Sequence, residues 1–116
     1  RHEKHKLAIS NAAEILNLKL FANRDSLSPA ITAIEANGFD AEEFRKAIQK
    51  NYGIQLAGGQ DHLKGKIFRV GHLGFISDQD IIGAISAIGL TLHEKNLVTQ
   101  NDIGRALSEA NLYLGK

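Results

Sequence analysis

The chain is 116 residues long, enough for one small domain with a single core, and its 43% hydrophobic and 23% charged content is that of a globular protein. Lys and Arg number 14 against 13 Asp and Glu, a net charge of +1 that gives no case for nucleic acid or an anionic membrane surface. Cysteine is absent, so disulfides, thiolate nucleophiles and cysteine metal sites are excluded together, and no apolar run approaches the roughly 20 residues of a membrane span. Methionine is also absent and the chain begins at Arg1, which leads us to expect a processed protein or a piece of a longer one.

Residues 1–16 carry Ala8, Ala12, Ile15 and Leu16 at helical spacing behind a charged, solvated start. Residues 18–22 alternate in character and suggest a strand; residues 23–29, with the single proline, form a loop. Ile31, Thr32 and Ile34 mark a second strand ending before the Asn37-Gly38 turn. Asp40 followed by Glu43 predicts a capped helix with Phe44, Ala47 and Ile48 on its buried face, stopped at Gly53. Ile54-Gln55-Leu56 suggests a short strand ended by Gly58-Gly59, and residues 60–66 a polar, basic surface loop. Residues 66–72 return to strand character through Ile67, Phe68 and Val70. Ser77 and Asp80 cap a helix with Ile81, Ile85, Ile88 and Leu92 on one face. Gly83 and Gly89 inside that helix cost about 1 kcal/mol each relative to Ala, which suggests close packing at both. Thr99 and Asp102 open a last helix with Ile103, Ala106, Leu107, Ala110 and Leu114 on one stripe. Paired strands without crossover helices predict an α+β, two-layer domain: a small, mainly antiparallel sheet with helices on one face.

Several clusters invite chemistry. The run from Gly58 to Ile67 superficially suggests a phosphate loop, but five residues separate Gly59 from Gly65, Ile67 replaces the required hydroxyl, and a strand follows. Of the histidines at 2, 5, 62, 72 and 93, His2 and His5 are three apart on the first helix, yet no third ligand is anchored by a motif. We read them as solvated, and His72 as a hydrogen-bonded structural residue. The carboxylates Glu42-Glu43 and Asp78/Asp80 lie in helix first turns, where exposed N–H groups favour negative charge without catalysis. Arg69 differs, being flanked by Phe68 and Val70 in mid-strand. Buried, its planar fork would need a carboxylate, and Gly71 two positions on leaves room for one. On an edge strand it would simply face solvent, and spacing alone leaves both readings open.

Two stretches carry a family likeness: Gly53-Ile54-Gln55-Leu56-Ala57-Gly58-Gly59, and Leu63-Lys64-Gly65-Lys66-Ile67-Phe68-Arg69-Val70-Gly71-His72-Leu73-Gly74. Together with residues 40–46 and Ser28-Pro29, they resemble the C-terminal domain of alanine–glyoxylate and serine–glyoxylate aminotransferases, class V enzymes of fold type I that use pyridoxal phosphate. Cyanobacterial members of that family bear the name soluble hydrogenase small subunit, or tritium-exchange subunit, and the chain resembles these too. The resemblance implies that Arg69 binds the substrate α-carboxylate and that Gly58-Gly59 is structural. It implies a parent enzyme moving an amino group from alanine or serine to glyoxylate or a related 2-oxo acid. That parent would be cytoplasmic and homodimeric, with this chain packed on its own large domain. The cofactor lysine, the carboxylate facing the ring nitrogen and the phosphate cup belong to that large domain. Lys64 and Lys66 stand in the wrong motif for the cofactor lysine, so neither a bound cofactor nor catalysis is expected of these residues alone. The alternatives are a non-catalytic interaction module with the same fold, or a hydrogenase subunit.

Overall fold

The computed structural model describes residues 2–22, 30–71 and 77–115. In chain order the elements are α1 (His2–Ile15), β1 (Lys19–Leu20), β2 (Ile31–Glu35), α2 (Ala41–Tyr52), β3 (Ala57–Gly58), a 3-10 turn (Asp61–Leu63), β4 (Ile67–Gly71), α3 (Asp78–Glu94) and α4 (Gln100–Asn111). The strands form one antiparallel sheet in the order β1-β2-β4-β3. β4 therefore lies between β2 and β3, and α2 crosses over from β2 to β3 as in a split βαβ unit.

Period-2 alternation sorts the strand residues by face. Phe68, Val70 and Ile34 enter the main core with the inward faces of the four helices. The ring of Phe68 lies 5.1 Å from that of Phe44 on α2, which lies 4.7 Å from Phe39. The expected helix faces are buried: Ala8, Ala12 and Leu16; Phe44 and Ile48; Ile81, Ile85, Ile88 and Leu92; Ile103, Ala106, Ala110 and Leu114. α1 and α2 pack on the sheet, α3 joins them, and α4 rests on α1 and α3. This is the α+β architecture that the element order predicted.

Caps sit where the sequence put them. Asp40 accepts from the Glu43 N–H, and Gly53 ends α2 with φ +70°. Ser77/Asp80 and Thr99/Asp102 each form a reciprocal capping box. Three expectations change. The third strand is Ala57–Gly58 rather than residues 54–56, because the Leu56 carbonyl accepts from Arg45 Nη1 and the chain joins β4 only beyond it. The 60–66 loop contains a 3-10 turn. Gly89 packs closely, its missing Cβ falling 3.1 Å from Ile103, but a Cβ at Gly83 would meet nothing within 4 Å. No helix among the described residues is long and apolar enough to cross a membrane.

Candidate functional site

Arg69 stands in the middle of an interior strand, which removes the edge-strand reading. It is half-buried on the sheet face opposite Phe68 and Val70, away from the main core. Its cross-strand neighbours are Ala33 on β2 and Ala57 on β3, and Gly71 lies two residues along its own strand. All three are small, so among the described residues these neighbours add little bulk beside the guanidinium. Gly71 is exposed, with open space where a Cβ would stand. Ile67 closes the other end of the face and is itself buried.

Arg69 Nε donates to the Gly58 carbonyl at 3.1 Å. Both glycines of the pair have a steric reason to lack a side chain. A Cβ at Gly59 would strike the Leu63 carbonyl and come within 2.8 Å of Ile67 Cγ1. A Cβ at Gly58 would strike Glu42 Oε2 and lie 2.8 Å from Arg45 Nε. Beside this face runs an open groove of about 880 Å³ bordered by Ala57, Gly71, Gln55, Gln79 and Gly83. It opens on the two small residues that frame Arg69, although Arg69 does not line it.

The other candidates resolve into structural roles. Glu42 holds Arg45 in a two-pronged ion pair, which keeps the Glu42 carboxyl below the usual carboxylate range. Asp80 completes the α3 capping box. Asp78 does more than lie in a first turn: it accepts from Lys4 Nζ, His5 Nε2 and the Gly115 N–H. His5 is fully buried rather than solvated, because α1 turns it inward onto that carboxylate. Sequence reasoning missed it, since Asp78 is 73 residues away. His93 Nδ1 bonds the Val98 carbonyl and closes the turn into α4, whereas His62 is exposed. The side chain of His2, and His72 altogether, lie outside the described residues. Lys64 and Lys66 are exposed on the loop before β4.

No protein-family model matches the chain. It is 51% identical over 94 residues to the soluble hydrogenase 42 kDa subunit of Anabaena cylindrica, covering 81% of this chain and 24% of that protein. It is 34% identical over 95 residues to an uncharacterised aminotransferase of Methanocaldococcus jannaschii, covering 81% of this chain and 25% of the relative. Among solved structures, pyridoxamine–pyruvate aminotransferase of Mesorhizobium loti superposes with a TM-score of 0.80 at 27% identity, over 95% of this chain and 29% of that one. The chain thus spans about a quarter of the length of the curated relatives it matches. With the split βαβ sheet and the Ile67–Gly71 phrase, these likenesses make the chain a member of the class V aminotransferase family, in its alanine–glyoxylate and serine–glyoxylate group.

Proposed function

We propose that this chain is the C-terminal small domain of a pyridoxal-phosphate aminotransferase, and that Arg69 is its contact with the substrate α-carboxylate. The observation that carries the reading is the setting of Arg69: an interior, half-buried guanidinium tethered at Nε, on a floor of Ala33, Ala57 and Gly71. Such a fork matches a carboxylate with parallel charge-assisted hydrogen bonds. Its task is to bind and orient, and orientation of a reacting group lowers the barrier by removing freedom in advance.

The described residues do not fit the cofactor itself. Pyridoxal phosphate needs a lysine for its aldehyde carbon, a carboxylate at its ring nitrogen and donors for its phosphate. Lys64 and Lys66 project from an exposed loop. Lys6, whose pKa is lowered by burial, is tied to the Ile31 carbonyl at 2.5 Å. The family resemblance assigns the cofactor to the large domain of the parent, and no step of its chemistry is assigned to this chain. Within the parent, the amino group of alanine or serine passes to glyoxylate or a related 2-oxo acid, and the parent works as a cytoplasmic homodimer. The hydrogenase name stays with the Anabaena relative.

In the parent enzyme, Arg69→Ala raises KM for the amino acid and lowers kcat/KM on the order of 10²-fold, the worth of a lost charged hydrogen-bond pair. Unchanged kinetics remove Arg69 from the site. The 116-residue chain alone is expected to show neither aminotransferase activity nor cofactor absorbance, and either signal refutes the division of labour. A reading frame that starts just upstream of residue 1 favours the rival, an interaction module without catalysis.

A further inference from the structure

An ion pair stands against β3 that carboxylate binding does not itself use. Glu42 and Arg45 are three residues apart on α2, with Nη2 to Oε1 at 2.7 Å and Nε to Oε2 at 3.0 Å. Their side chains are only 16% and 28% exposed. The helix dipole accounts for a carboxylate at position 42 but not for the arginine that grips it. The third donor of that arginine, Nη1, reaches 3.1 Å to the carbonyl of Leu56, the residue just before β3.

β3 needs such support. It is two residues long and lies at the end of the strand order, with only Ala57↔Arg69 and Gly58↔Phe68 in register with β4. So short a ladder fixes little by itself. Gly58 rests directly on the ion pair, since a Cβ there would strike Glu42 Oε2 and approach Arg45 Nε to 2.8 Å. The carbonyl of the same Gly58 accepts from Arg69 Nε. The contacts therefore run without a gap from Glu42 to Arg45, through Leu56 and Gly58, to Arg69.

We propose that Arg45, braced by Glu42, is a positioning residue for Arg69. It seats β3 on α2 so that the Gly58 carbonyl holds Arg69 Nε, and fixing Nε sets the plane of the entire guanidinium. A fork whose plane is set beforehand loses less freedom when a carboxylate arrives. What Arg69 receives rests on the function proposed above; the bracing of Arg69 rests on the geometry alone.

Nitrogen-15 NMR of the arginine side chains in this chain reads the bracing directly, as exchange of the Arg69 Nε–H with water. Arg45→Ala speeds that exchange roughly tenfold, and Arg45→Lys, which keeps the charge without the fork, gives an intermediate rate. Gly58→Ala, which displaces the ion pair by bulk alone, also speeds it. An Arg69 rate within about twofold of the unsubstituted chain in folded Arg45→Ala overturns the proposal. Should Arg45→Ala fail to fold, Glu42→Gln keeps the helix and is judged by the same limits. In the parent enzyme, Arg45→Ala raises KM for the amino acid roughly tenfold with kcat within about twofold. Faster exchange with KM indifferent to both Arg45→Ala and Arg69→Ala upholds the bracing and overturns the carboxylate reading. A KM sensitive to Arg69→Ala, with exchange unmoved by Arg45→Ala, does the reverse.

Discussion

Asp78 gathers three donors from distant parts of the chain: Lys4 Nζ at 3.2 Å, His5 Nε2 at 3.1 Å and the Gly115 N–H at 2.7 Å. Because a carboxylate only accepts, His5 donates from Nε2, and its buried Nδ1 has no partner among the described residues. Lys4 first, then Gly115 and His5, hold the Asp78 carboxyl at about 2, against an ordinary 3.8. A depressed folded pKa gives stability that is fully present above the unfolded value and lost as pH falls through the folded one. Chemical denaturation between pH 5 and about 2 therefore shows an acid loss of stability that flattens in Asp78→Asn, which is also less stable at pH 7. A first-turn aspartate was legible from its place after Ser77. Its three partners were not, because they lie 74, 73 and 37 residues away.

At the scale of elements, local rules predict well where every participant is near in sequence. The Ser77/Asp80 and Thr99/Asp102 boxes need only residues three apart, and both form. β3 is the counter-example. Apolar Ile54 and Leu56 alternate as a strand should, but Arg45 claims the Leu56 carbonyl and pairing begins at Ala57. The two glycines of α3 look alike in sequence and differ in the fold. Gly89 has Ile103 of α4 against it, whereas Gly83 opens on the groove beside Gly71 and Ala57. Gly83→Ala should accordingly stabilise the chain by about 0.5–1 kcal/mol, the helical preference of Ala over Gly. Gly89→Ala should gain less, because Ile103 must give way first. Thermal or urea unfolding of the two variants checks the order.

Across the whole molecule, the sheet separates two environments. One face joins Ile34, Phe68 and Val70 to the helices in a continuous core; the other carries Arg69 among small residues. Phe68 joins β4 to α2 through Phe44, and its side chain is fully buried. Phe68→Ala should cost about 3–5 kcal/mol in urea unfolding, much of the roughly 5–15 kcal/mol a domain possesses. The loss would act on the site too, since Phe68 and Arg69 are neighbours on opposite faces of one strand.

Residue order alone is enough to read the helices, their apolar faces, their caps, the strand residues of β4 and the sidedness of Arg69. Each depends on spacing within a few residues and on the fixed periods of helix and strand. Long-range packing alone makes β4 interior, buries His5 on Asp78, and sets an ion pair on α2 against the strand whose carbonyl tethers Arg69. Those facts require segments far apart in the chain to meet, and no local period encodes which segments will.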